Sequence, residues 1–179
     1  MEVRFCYYGD EVLKKISQEI TDFNSNLHEL ADALGNTIKR KRGLGLAAPQ
    51  IGILKRMFII DMAEEPEEHK QLPKPLFLIN PRIIESTGAE VIEEGCLSFP
   101  GLHVDLERAA NVRVEYQDLE GNPQVLEASG IVARAVQHEL DHLDGILLLD
   151  RLTPLARMRL GREVRRMRKL IEEYKEKGI

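Results

Sequence analysis

Apolar residues recur at helical spacing at Leu27, Leu30, Ala31, Leu34 and Ile38, which predicts a long amphipathic helix. Thr21, Asp22 and Ser25 offer N-caps. Lys39 to Arg42 followed by Gly43 reads as the stop, with cations near the negative end of the helix dipole. Arg56–Met62 reads as a buried strand, and Leu76–Asn80 and Ile83–Glu85 as short strands around Pro81. Residues 63–75, rich in Glu and Pro, read as a solvated loop. Val112, Val114 and Tyr116 alternate with Arg113 and Glu115, the pattern of a half-exposed strand. Asp118 to Pro123 makes a turn, and Gln124–Ala128 returns as the hairpin partner. Residues 131–143 predict a second, largely apolar and therefore central helix. A last helix is expected from about Pro154, a good first-turn residue, to the end. Few strands alternate with helices, so a parallel βαβ sheet is not expected. The pattern predicts an α+β fold: small antiparallel β-sheets around a central helix, with a C-terminal helix over 154–179, in a single domain spanning 1–179.

A chain of 179 residues can bury one real core and is short for two. Its 43% hydrophobic and 31% charged residues are ordinary for a globular protein. No apolar run approaches the roughly 20 residues of a membrane span, so no membrane partner is expected. The opening Met1-Glu2-Val3-Arg4-Phe5-Cys6 lacks the apolar stretch of a secretory signal, which makes the cytoplasm the expected compartment. Two cysteines do not suggest a disulfide scaffold, and Cys6, between Phe5 and Tyr7, reads as a packed thiol. The net charge of −5 is unevenly spread. Residues 151–170 hold eight Arg or Lys against one acid, Glu163, so this stretch carries +7 and the remainder −12. A basic end on an acidic body points to an anionic partner.

The most informative segment is His138-Glu139-Leu140-Asp141-His142. On a helix, positions four apart share a face with Cβ atoms about 5–6 Å apart, so two imidazoles can grip one ion. Glu139, beside the first His, can reach a water on that ion. A third ligand is needed. No His follows His142, which leaves Glu163 on the last helix or Cys96 in the glycine-containing loop Glu94-Gly95-Cys96-Leu97-Ser98. The Glu163 choice would suit a zinc endopeptidase. A closed site with a fourth protein ligand would suit a metal-stabilised ribosome-binding module instead, for which His28, His69 and His103 are the spare histidines. Residues 43–52, dense in Gly, Ala and Pro, predict a loop whose backbone can be approached closely.

Taken together, Gly43-Leu44-Gly45-Leu46-Ala47-Ala48-Pro49-Gln50, Glu94-Gly95-Cys96-Leu97-Ser98 and Gln137-His138-Glu139-Leu140-Asp141-His142 resemble the three signature motifs of peptide deformylases, in that family's order and approximate spacing. The resemblance covers nearly the whole chain. It implies a metal-dependent hydrolase that removes the N-formyl group from the formylmethionine of nascent polypeptides and releases formate. By similarity, Cys96, His138 and His142 are the metal ligands and Glu139 the acid/base. Gln50 and the backbone N–H of Leu97 stabilise the oxyanion. Leu44, Gly45, Glu94 and Gly95 belong to the substrate groove, where the peptide lies like an added strand. The family uses one divalent ion, generally Fe2+, with Zn2+, Ni2+ or Co2+ as substitutes. Many relatives have an Arg where this chain has His103, which reads as an exposed loop residue. The implied partners are N-formylmethionyl nascent peptides and, through the basic last helix, the ribosome; no DNA partner is expected. Leu160, Val164, Met167, Ile171 and Tyr174 give that helix an apolar stripe for docking, with Arg159, Arg162, Arg165, Arg166, Arg168 and Lys169 on its other faces.

Overall fold

The computed structural model describes residues 3–63, 72 and 75–178. Most of the expected loop over 63–75 and His69 lie outside the described residues. Helix α1 spans Ser25–Lys41 and ends on Arg42 in the left-handed region. Its N-cap is Asn24, whose side chain accepts from the Asn26 N–H, rather than any of Thr21, Asp22 or Ser25. The chain then runs through β1 (Gly45–Ala47), a 3-10 turn at Ala48–Ile51 and β2 (Met57–Ile60). Next come β3 (Leu76–Thr87), β4 (Glu90–Gly95), β5 (His103–Arg108), β6 (Asn111–Gln117) and β7 (Pro123–Ser129). Helix α2 covers Gly130–Leu143, and α3 (Pro154–Arg159) and α4 (Gly161–Lys177) close the chain.

Five strands form one sheet in the order β1-β2-β3-β6-β7, and β4 and β5 form a separate hairpin; every pairing is antiparallel. This is the α+β arrangement that the pattern predicts. The two short strands expected around Pro81 are one strand, β3, with register shifts between Ile79 and Arg82 and between Ile83 and Glu85. Asn80 adopts a positive φ of 51° beside Pro81, so the ladder bulges there instead of ending. The Asn80 amide ties the bulge down by exchanging two hydrogen bonds with the Ile20 backbone.

All four residues of β2 are buried because helices cover both faces of the sheet. Phe58, Ile60 and Leu78 pack with Val132, Val136 and Leu143 of α2. Met57, Ile59 and Ile79 pack with Leu30, Leu34 and Ile38 of α1. A third cluster joins Cys6 and Tyr7 to Val104 and Leu106 of β5 and to Met167 and Ile171 of α4. Val164 and Tyr174 pack against its edge, so the apolar stripe docks as expected. The expected single last helix is broken at Leu160, whose ψ of 10° leaves the helical region while its side chain turns into this third cluster. Among the described residues, no helix is long and apolar enough to cross a membrane.

Candidate metal centre and active-site groove

The apolar face of α2 anchors the helix against the sheet and sets His138, Glu139 and His142 on its other side. The two imidazole rings lie 5.0 Å apart, inclined at 73°. Cys96 arrives from a different part of the fold, in the turn after β4. That turn is held by the Phe99 N–H donating to the Cys96 carbonyl, by Ser98 Oγ donating to the Cys6 carbonyl and by the Tyr8 N–H donating to the Ser98 carbonyl. Cys96 Sγ thereby sits 3.3 Å from His142 Nε2. Among the described residues, Cys96, His138 and His142 form the one group whose candidate ligand atoms converge, all within 4.8 Å of one another. Glu163 and His28 are exposed on α4 and α1 and take no part in it. A thiolate with two imidazoles is a donor set suited to one soft or borderline divalent cation.

Glu94 lines the groove beside this cluster, with its carboxylate turned into the protein. Both of its carboxylate oxygens are committed inside the protein. Arg108 donates to them through Nε and Nη2 at 2.8 and 2.7 Å, and Arg134 Nη1 donates at 2.9 Å. His138 Nδ1 lies 2.6 Å from Glu94 Oε1, which orients the ring and leaves Nε2 for a cation. Arg108 also donates to Asp141 at 2.9 Å, and Arg151 closes the chain by pairing with Asp141. Burial opposes the charge on Glu94, but Arg108 and then His138 outweigh it and hold the carboxyl well below the usual carboxylate range. Burial likewise disfavours protonated His138, yet the neighbouring Cys96 and Glu94 overcome it and raise the pKa. A cation at the same ring would take over that proton's electrostatic role.

Neither Arg108 nor Arg134 stands out in a reading of motifs, although a signal exists. Arg108 falls on the inward positions of β5 after Val104 and Leu106, and Arg134 interrupts the apolar face of α2. A charge at such a position needs a buried partner. Glu94→Gln should therefore cost about 3 kcal/mol at neutral pH, because it strands buried guanidinium groups. A lowered folded-state pKa contributes stability that is complete above the unfolded value near 4.3 and is lost as pH falls below it. The penalty should shrink from about pH 4 downward in urea unfolding of the two proteins. A penalty of constant size down to the acid limit would mean that the charge of Glu94 is not what matters.

Glu139 is 3% exposed, and among the described residues its Oε2 has no hydrogen-bond partner. Burial raises its carboxyl to about 7, against the pull of His138. Gly45 lies so close that a Cβ there would collide with Glu139 Oε1. Gln50 is buried in the 3-10 turn, where its Oε1 accepts from the Ala47 N–H at 2.8 Å. Its Nε2 donates to Ser98 Oγ at 3.1 Å and faces Cys96 Sγ at 3.8 Å. Leu97 packs over Gly43, where a Cβ would come within 2.6 Å of Leu97 Cδ1.

These residues share a groove of about 700 Å³, lined by Leu44, Gly45 and Gln50 on one side and by Glu94, Gly95 and Leu97 on the other. β1 is the edge strand of the five-stranded sheet and borders this groove, a place where an extended peptide can add as a further strand. His103 is exposed, but it begins strand β5 opposite Gly95 and lines the groove, so it is not a loop residue. The arrangement brings together a candidate cation site, a buried carboxylate with an oxygen unpartnered among the described residues, and an amide donor beside an open groove.

A family model described as polypeptide deformylase matches residues 3–158. The peptide deformylase of Thermodesulfovibrio yellowstonii is 47% identical over 150 residues, which are 84% of this chain and 88% of that protein. That of Helicobacter pylori strain Shi470 is 41% identical over 168 residues, 93% and 95% of the two chains. A crystal structure of a peptide deformylase from Legionella pneumophila superposes with a TM-score of 0.85 at 35% identity, covering 96% of this chain and 98% of that one. The Synechococcus elongatus enzyme, solved in complex with actinonin, gives 0.81 at 40% identity over 90% and 87%.

Proposed function

The chain belongs to the polypeptide deformylase family, and from that premise we propose how its residues divide the work. The activity is hydrolysis of the formyl amide at the N-terminus of newly made polypeptides, with release of formate. Cys96, His138 and His142 would hold the metal, with Fe2+ as the native ion and Zn2+, Ni2+ or Co2+ able to replace it. When bound, such an ion supplies Lewis-acid polarisation and lowers the pKa of water. Glu139 takes the proton of the attacking water and passes it to the departing amine, acting as base and then as acid. Its buried position and its pKa near neutrality suit both halves of that transfer. The Gln50 amide and the Leu97 N–H donate to the oxygen that gains charge in the tetrahedral intermediate. Leu44, Gly45, Glu94 and Gly95 border the peptide along the edge of β1, and the Glu94 carboxylate also holds His138 in place.

The single observation that supports this reading best is the unpartnered Glu139 oxygen beside the Cys96, His138 and His142 cluster, inside a groove bordered by a strand edge. Formate measured from a formyl-Met peptide, beside an endopeptidase assay on an internal amide, tests it. Cleavage of the internal amide without formate would replace it with a peptidase.

The whole chain, 1–179, is read as one catalytic domain acting in the cytoplasm. The basic last helices give it a ribosome-facing surface. Arg159, Arg162, Arg165, Arg166 and Lys169 are exposed, while the apolar stripe of α4 is docked; Arg168 lies over the Tyr8 ring. If about four phosphates are neutralised, ribosome affinity should fall roughly 50- to 150-fold between about 50 and 200 mM salt. Co-sedimentation that is absent, or indifferent to salt, would reject this surface.

A further inference from the structure

Four consecutive cations, Lys39 to Arg42, close α1, and a basic C-terminus is what the helix dipole favours. Two of them do more than that. Arg40 and Lys41 line the same groove as Cys96 and Glu139. Resting on the deformylase reading, we propose that Arg40 and Lys41 form a cationic subsite at the outer end of the groove, which selects formylated peptides with acidic side chains at about the fourth and fifth residues.

The placement follows from the strand geometry. One edge of β1 is paired with β2, and the other is the free edge of the sheet. The formyl group must lie beside Glu139, which abuts Gly45. A peptide added antiparallel to β1 then runs from Gly45 back toward Gly43 and the end of α1. In extended form each of its residues advances about 3.3 Å. With its first residue near Gly45, its third passes Gly43, and the next two lie toward the C-terminal end of α1, where Arg40 and Lys41 line the groove.

Lys41 is held ready for an anion. Its Nζ donates to the Tyr7 hydroxyl at 2.9 Å and lies 4.5 Å from the Phe5 ring centroid. The side chain is half-buried, which strengthens its interaction with a charge compared with a fully solvated ammonium. Arg40 is exposed and donates to Thr37 Oγ1 at 3.3 Å. Among the described residues, neither cation is paired with a carboxylate. Glu93 lines the groove from β4, so the acidic preference belongs to the α1 side alone.

The test compares two peptides on the metal-loaded enzyme: formyl-Met-Ala-Ser-Asp-Asp-Ala and formyl-Met-Ala-Ser-Lys-Lys-Ala. The acidic peptide should show a KM lower by about three- to fivefold, the scale of one or two partly exposed ion pairs, and the gap should close as salt is raised. The difference should lie in KM rather than kcat, because the contact is made equally in ground and transition states. Arg40→Glu should reverse the order of the two KM values, and Lys41→Gln should narrow the gap. Equal KM values in the natural protein, or a gap that both variants leave intact, would overturn the subsite. Formate from neither peptide would instead overturn the deformylase reading, a result distinct from formate released at matching KM.

Discussion

Glu139→Gln should lower kcat by about a thousandfold while leaving the metal content as it is. General acid–base catalysis contributes roughly 10²- to 10⁴-fold, and here one carboxyl serves two successive proton transfers. Gln has nearly the shape of Glu but can neither accept the water proton nor return it. The metal should stay, because Glu139 is not one of the three converging ligands. Folding should stay too. The buried carboxyl has a raised pKa, so the folded protein holds its proton more tightly than the unfolded chain does. Stability contributed at this position therefore falls as pH climbs from about 4.5 toward 7, and the metal-free Gln variant should be the more stable protein above that range. Elemental analysis and formate release on the metal-loaded protein, and urea unfolding after metal removal, read all three. Turnover near that of the unmodified protein, with metal in place, would remove Glu139 from the chemistry.

Cys96→Ala should abolish metal retention. Residues that merely orient a ligand cost about 10- to 100-fold in affinity when removed, so loss of a direct ligand should cost on the order of a thousandfold or more. The side chain is small and only partly buried, at the border of the cluster around Phe99 and Leu147, so its truncation leaves little cavity. Glu163→Ala is the matching control. Glu163 is exposed on the first turn of α4, away from the two imidazoles, and its removal should leave the metal content unchanged. Metal retained by the Cys96 variant and lost by the Glu163 variant would reverse the assignment.

The central helix and the spacing of its two imidazoles could be read directly from the chain, because α-helical geometry is local: His138 and His142 share a face whatever surrounds them. The apolar periodicity of Leu27 to Ile38 and the alternation of Val112 to Tyr116 are local in the same sense, and they place α1 and β6 closely. The bulge at Asn80 and the break at Leu160 are not local. Each depends on partners far away in sequence, the Ile20 backbone in one case and the cluster of Cys6, Tyr7 and β5 in the other.

The site divides along the same line. Its chemical inventory, a thiol, two imidazoles and a carboxylate, was set by the amino-acid order alone. The tertiary structure decided that the β4–β5 hairpin carries Cys96 to the imidazoles while Glu163 faces solvent, and that the Glu94 carboxylate turns inward to Arg108, Arg134 and His138. It also decided that the end of α1 borders the groove. Pattern reaches only as far as one element's repeat, whereas charge neutralisation in a buried place is settled by whichever groups the folded chain brings within hydrogen-bonding distance.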